Sequence, residues 1–453
     1  MPRTVDARLL LIACCLLAGC PQPTGRKGPD SPPVPANSAG AVGELVPLDD
    51  LPEITVAEGD WPWWRGPARN NVASFDQDPP IVWGETTNVF WRVELPGRGH
   101  GTPCIWRERI FLATGEKEEQ TISMLCLGRD SGEKLWQTVL HDGELPKIHG
   151  DNSHASATVA CDGERVFFPY QTVDAVRMAA LDFDGNIVWD KRVAPYESVQ
   201  GYSASPTVFK SAVIVPTDAS PDVPSKLTAL HRKTGKIVWQ VPRPDRGESY
   251  ASALVANVAG RDQLLIIGVG QTRSYDPNDG KSLWQCDGPA DYDGATVAFD
   301  KDMVFATGGY PQVALLGIRA DGTGDVTKTH RVWKSDKRAG YVPSPLLHDG
   351  LLYAVSDRKG LMRCYDAASG EVVWEHVLEG MFYSSPVLVG ERIYLFDREK
   401  GKGYVMKTGR RFELLAENTL ANGAFATPVI SGGRIYLRTL GDFYCLGKID
   451  DAQ

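Results

Sequence analysis

Five times between residues 130 and 380 a glycine is followed four residues later by a tryptophan: Gly132 and Trp136, Gly185 and Trp189, Gly235 and Trp239, Gly280 and Trp284, Gly370 and Trp374. The intervening text is alike, as in Ser131-Gly-Glu-Lys-Leu-Trp136, Thr234-Gly-Lys-Ile-Val-Trp239 and Ser369-Gly-Glu-Val-Val-Trp374. A glycine after Asp, Asn, Ser or Thr supplies the positive φ of a tight hairpin, and the residues after it read as a strand ending on a large flat hydrophobe. A unit that recurs in this way cannot bury its apolar face alone, so the chain must stack its repeats.

Two further registers keep step with the first. A small-residue motif recurs eight times, at Thr102-Pro103, Ser156-Ala157, Ser205-Pro206, Ser252-Ala253, Ala295-Thr296, Ser344-Pro345, Ser385-Pro386 and Thr427-Pro428. The step averages about 46 residues, the length of a four-stranded propeller blade. Small side chains suit innermost strands, which converge on an axis where bulky ones would collide. About ten residues later come apolar runs such as Glu108-Arg-Ile-Phe-Leu112 and Glu391-Arg-Ile-Tyr-Leu395, which read as strands covered on both faces. The prediction is an all-β, eight-bladed β-propeller of four-stranded antiparallel blades over residues 88–447. Trp91, Trp136, Trp189, Trp239, Trp284, Trp333 and Trp374 should fill the wedges between blades.

Two irregularities sharpen that prediction. In the fifth repeat the turn at Asp321-Gly322 is followed by its tryptophan only at Trp333, so the longer hairpin should protrude. The last repeat stops after Phe443-Tyr-Cys-Leu446 without an outer strand, whereas Asn88-Val-Phe-Trp91-Arg-Val-Glu-Leu95 is an orphan outer strand at the start. Joining the two closes the ring and removes exposed sheet edges.

The N-terminus has the order of an export signal. Arg3 and Arg8 precede the apolar run Leu9 to Leu17, which is too short for a membrane span. It leads into Leu17-Ala18-Gly19-Cys20, which resembles the bacterial lipobox, in which Cys20 accepts lipid. An ordinary cleaved signal is the alternative. With Pro rather than Asp at position 21, the enterobacterial rule would send such a lipoprotein to the outer membrane, on its periplasmic side. The reading is therefore a signal peptide over 1–19, a Pro-rich flexible tether over 20–59, a Trp-rich lead-in over 60–87, the propeller, and a short tail over 448–453. Within the lead-in, Trp61, Trp63 and Trp64 should pack on the propeller flank, an exposed recognition patch being the alternative.

Composition excludes several classes. The formal net charge is −9 and no long Lys/Arg cluster occurs, which argues against nucleic acid as partner. No Gly-x-Ser-x-Gly elbow or phosphate-binding glycine loop is present. His149-Gly-Asp151-Asn-Ser-His154 contains ligand types but lacks a third partner, so no metal site is expected there. Six cysteines remain beyond Cys20, with no Cys-x-x-Cys among them, and buried packing is their expected role.

The Thr-Gly-Lys-Ile-Val-Trp text resembles the PQQ-type repeat of quinoprotein alcohol dehydrogenases and of BamB-like lipoproteins of outer-membrane assembly. The opening Trp61-Pro-Trp-Trp-Arg65-Gly-Pro67 is similar to that of exported planctomycete-type PQQ-like propeller proteins. Resemblance to the dehydrogenases implies PQQ with Ca²⁺, an aspartate base and two adjacent cysteines beneath the cofactor. The one adjacent pair is Cys14-Cys15, inside the signal. No catalytic residue is assigned, and the reading leans toward a monomeric scaffold or ligand-binding module in the cell envelope. Its partner would be an envelope protein or a small ligand. A PQQ-dependent dehydrogenase is the alternative.

The candidate binding residues lie just before the small-residue motifs: His100, His154, Tyr202, Tyr250, Tyr292, Tyr341, Tyr383 and Phe425, with Arg98, Arg246 and Arg338 in the same loops. Eightfold repetition would ring the axis with aromatic and imidazole groups, a setting for a small ligand, a sugar or a peptide. Plain packing is the alternative for each residue taken singly.

Overall fold

The computed structural model describes residues 45–49, 51–52, 54–243, 247–337 and 339–449. Cys20, the signal segment, Arg246 and Arg338 lie outside them. Among the described residues there is no helix long and apolar enough to cross a membrane. Among the described residues all regular structure is β, in eight sheets of four antiparallel strands joined in sequence order except where the ring closes, one sheet gaining a fifth, parallel strand. The protein is an eight-bladed β-propeller.

Blade 1 sets the pattern: Cys104–Trp106 innermost, then Arg109–Glu116, Thr121–Gly128 and, outermost, Lys134–Asp142. Its two middle strands are buried almost throughout, because neighbouring blades cover both faces. The outer strand is half exposed. Closure follows the sequence expectation, with Val89–Glu94 pairing antiparallel to Asp442–Gly447 and Arg92 opposite Tyr444.

The repeated tryptophans join one blade to the next. The indole N–H of Trp91, Trp136, Trp189, Trp239, Trp333 and Trp374 donates to Arg129 O, Phe183 O, Arg232 O, Pro277 O, Ala367 O and Gly409 O, each in the following blade. This also explains the glycines. Gly132 has φ +70°, and a Cβ there would lie 2.7 Å from the Trp91 ring. Glycine is thus required both by backbone conformation and by the approaching indole.

Blade 5 departs from the pattern and from the expected protrusion. Its longer hairpin folds back, so that Gly324–Asp325 pairs in parallel with Trp284 and Gln285 on the outer strand of blade 4. The N–H of buried Val326 donates to Gln285 O at 2.8 Å. An outer strand carries unpaired backbone groups along its free edge, and the hairpin satisfies them. Trp284 accordingly bonds within its own blade, to Gln263 Oε1 at 2.7 Å.

The lead-in does not lie on the flank. Trp61 forms a β-bridge with Ile105 on the inner strand of blade 1, and Val72 bridges Leu388 on the inner strand of blade 7. Between these anchors Arg65 donates to Pro345 O of blade 6, Arg69 to Val208 O of blade 3 and Asn71 to Pro386 O of blade 7. The segment therefore crosses one end of the axis. The inner strands draw it there because their edges offer unpaired N–H and C=O groups around the hub. The preceding stretch, placed by sequence in the tether, is packed as well: Val46 N–H donates to Ile237 O, and Ile54 and Val56 join the core of blades 1 to 3.

Candidate functional site

The small-residue motifs precede the inner strands, and at their positions a belt of hydroxyls surrounds the axis. Thr102 N–H donates to Thr158 Oγ1, Thr158 N–H to Ser205 Oγ and Ser205 N–H to Ser252 Oγ, at 2.8–3.1 Å. On the other side Thr296 N–H donates to Ser344 Oγ, Ser344 N–H to Ser385 Oγ and Ser385 N–H to Thr427 Oγ1, each at 2.9 Å. Serine and threonine are needed here for their oxygen as well as their size. In blade 2 the belt residue is Thr158, two positions beyond the predicted Ser156.

The belt is open between blades 8 and 1, where Thr102 Oγ1 accepts no N–H, and between blades 4 and 5, where Trp64 occupies the break. Its indole N–H donates to Thr296 Oγ1 at 2.9 Å. Trp64 is thereby the floor of a cavity of about 180 Å³ on the axis, lined by residues of all eight blades. The belt hydroxyls that accept a backbone N–H find no acceptor for their own O–H among the described residues, and Thr102 Oγ1 is buried with no partner at all. Those donors remain for an occupant of the cavity.

Five of the eight candidate ring residues line this cavity: His100, Tyr250, Tyr341, Tyr383 and Phe425. The other three do not reach it. His154 Nε2 bonds Pro146 O, the buried Tyr202 donates its hydroxyl to Pro216 O in the core, and Tyr292 packs on Tyr310 in an exposed pair. Arg98 stands behind the wall, donating to His100 Nε2 at 3.1 Å and to Gly150 O at 2.9 Å. Accepting at Nε2 puts the proton of a neutral His100 ring on Nδ1, facing Ser156 Oγ at 3.4 Å. Burial, then the charges of Arg98, Arg438 and Arg398, hold His100 neutral well below the usual histidine range.

The mouth opposite Trp64 is bridged by a loop of blade 2. His149 N–H and Asn152 Nδ2 bond Gln200 O on one side, while across the axis Asp151 Oδ2 lies 2.9 Å from Arg398 NH1 of blade 7. The Arg398 guanidinium stands 4.3 Å over the Tyr383 ring and 5.4 Å over Phe425, and His100 stacks on the same Phe425 at 4.2 Å. Burial alone would raise the Asp151 carboxyl, but Arg398 outweighs it and holds the group below its ordinary value. Elsewhere on the rim Glu248 accepts from Tyr250 OH at 2.5 Å and from Ser198 and Ser220. Sequence reading placed Trp64 on the flank and did not single out Arg398; neither position carries a periodic signal that would put it on the axis.

The one carboxylate lining the cavity, Asp151, is held by Arg398, and no Lys or Arg lines it among the described residues. Nor, among those residues, is there a group of three His, Cys, Asp or Glu able to hold a metal ion. His149 lines the cavity, whereas His154 bonds Pro146 O. PQQ is a tricarboxylate and its Ca²⁺ needs several oxygen ligands. The described lining does not match that donor set.

Fold and site together define an eight-bladed propeller with a ligand-sized hub, floored by its own lead-in and loop-bridged at the other end. The family model described as outer membrane protein assembly factor BamB matches residues 118–363 and 324–412, and the chain belongs to that family. A curated relative, the quinoprotein alcohol dehydrogenase PedH of Pseudomonas putida, is 27% identical over 219 residues, 47% of this chain. The chain spans 33% of that relative's length. Among solved structures, BamB from Moraxella catarrhalis superposes with a TM-score of 0.57 at 14% identity, covering 80% of this chain and 99% of that one. Quinohemoprotein alcohol dehydrogenase from Comamonas testosteroni superposes with a TM-score of 0.61 at 13% identity, covering 87% and 82%. At such identities the superpositions speak to fold alone.

Proposed function

We propose that this chain is a non-catalytic recognition module of the cell envelope, membrane-anchored through Cys20, whose hub takes a small, neutral, hydroxyl-rich ligand. The observation that carries the reading is the lining: hydroxyl donors from successive blades, aromatic faces from Trp64, Tyr250, Tyr341, Tyr383 and Phe425, and one carboxylate already neutralised by Arg398. Aromatic faces cover C–H surface while hydroxyls exchange hydrogen bonds, the combination a saccharide needs. A charged ligand would lose hydration without a counter-ion from the described lining. The family's envelope-assembly member supports a protein partner at the outer faces of the blades as a complementary role.

Calorimetric titration of the full chain with a panel of neutral mono- and disaccharides, and separately with PQQ plus Ca²⁺, tests this reading. Saccharide binding that Tyr250→Ala and Tyr383→Ala each weaken at least about tenfold is the expected result. Stoichiometric PQQ binding with dye reduction would replace it by the second reading, a quinone-dependent dehydrogenase. That reading draws on the local similarity to PedH and on Asp293, a fully buried carboxyl with neither oxygen hydrogen-bonded, next to the cavity residue Gly294. Burial, and secondarily Asp291, hold Asp293 protonated well above the usual range. Such an acid would have to be exposed to substrate before it could move a proton.

A further inference from the structure

Two cysteines meet where the lead-in crosses blades 1 and 2. Cys104 begins the inner strand of blade 1, Cys161 ends that of blade 2, and both are fully buried. One carbonyl ties them together: Pro62 O accepts the Cys104 thiol at 3.3 Å and the Cys161 N–H at 2.7 Å. The two inner strands that carry them are neighbours, and the two thiols interact. The remaining cysteines are dispersed. Cys126 is separated from Cys104 by Phe111, which pairs with both, and Cys286, Cys364 and Cys445 belong to blades 4, 6 and 8.

We propose that Cys104 and Cys161 form a dithiol–disulfide site which, when oxidised, covalently joins blade 1 to blade 2 beside the lead-in. Both cysteines carry free thiols in the structure. In the oxidation one thiolate attacks a disulfide-bearing oxidant, releasing a thiol and leaving a mixed disulfide; the second thiolate then displaces the second thiol. One S–S bond forms in the protein and one is reduced in the oxidant, with two protons leaving the cysteines. Both thiols are fully buried, out of reach of an external oxidant once the hub has closed, and burial also pushes the Cys161 thiol up. Oxidation therefore belongs to the folding chain, before burial, and the finished bond is shielded from exchange. The closed loop contains all the strands of blade 1, and the bond removes that loop's freedom from the unfolded state.

The test is to unfold the full chain and refold it in glutathione disulfide or, in parallel, in reduced glutathione. Free thiols are alkylated in denaturant, and unreduced peptides are mapped. The expected map has the Cys104 and Cys161 peptides linked, with Cys126, Cys286, Cys364 and Cys445 alkylated. The oxidised protein should melt about 5 °C above the reduced one. Cys104→Ala, Cys161→Ala and the double variant should lose that difference to the same extent, because the bond acts as a unit. Alkylation of both Cys104 and Cys161 after refolding in glutathione disulfide overturns the proposal, as does linkage of either to another cysteine. The wild-type map decides this even if a variant fails to fold.

Discussion

The two ends of the hub are closed by different physics. At the floor, Trp61, Arg65 and Asn71 are buried, and the arginine and asparagine donate to backbone carbonyls at the entry of two inner strands, which belong to the fold itself. Among the described residues Arg65 has no carboxylate partner, and burial pulls its guanidinium down to about 9. At the mouth, an exposed loop is held by a side-chain pair, Asp151 with Arg398, of which Asp151 is 43% exposed. A closure made of backbone carbonyls cannot open without unmaking the propeller; a screened ion pair can. The contrast makes the floor a structural element and the mouth the entrance.

The largest expected effect is at the floor. Trp61→Ala, which empties a fully packed site between the lead-in and blade 1, should cost about 4 kcal/mol in denaturant unfolding. Tyr292→Ala, on the exposed pair with Tyr310, should stay within about 0.5 kcal/mol. Equal losses at both sites would erase the distinction. Next comes Trp64→Ala, which removes the cavity floor and a hydrogen bond to Thr296. It should weaken saccharide binding by about 1.4 kcal/mol or more, a tenfold change in titration.

The belt between the two ends should respond less. Ser205→Ala leaves the buried Thr158 N–H without its acceptor, which costs about 1–2 kcal/mol, and Ser205→Thr should recover most of it. The smallest stability effect belongs to the mouth. Asp151→Asn should change unfolding free energy by less than about 1 kcal/mol yet speed ligand dissociation in stopped-flow measurements. The pH dependence has a definite sign. Because the Asp151 carboxyl lies below its ordinary value when folded, its contribution is complete above about pH 4 and is lost as pH falls through the folded value. Dissociation should therefore accelerate in acid for the wild type and stay flat for Asp151→Asn.

Much of this architecture was legible in the sequence, for reasons that particular residues make clear. The Gly-to-Trp spacing is visible because each glycine must both turn and yield to an indole, a demand repeated at every junction where the hairpin is short. The orphan strand around Trp91 and the truncated repeat at Tyr444 announced their own pairing. The candidate ring was legible in part: Tyr250, Tyr341 and Tyr383 line the cavity, whereas Tyr202 and Tyr292 occupy similar sequence positions and face elsewhere. Spacing gives the height of a residue on a blade; it does not give the rotation of its loop. The blade 5 hairpin was misjudged as protruding for a related reason, since its docking site is an edge on another blade.

The sequence by itself determined the local pattern: strand, turn and wedge, repeated until the ring closes, because those choices depend on near neighbours and on a period. Only the tertiary structure decided what meets on the axis. Trp64, Thr296 and Arg398 come from the lead-in, blade 5 and blade 7, and Cys104 and Cys161 from successive blades, brought together by a ring closure that no local rule encodes. Their proximity depends on where eight sheets converge, and that geometry exists only once the last strand has paired with the first.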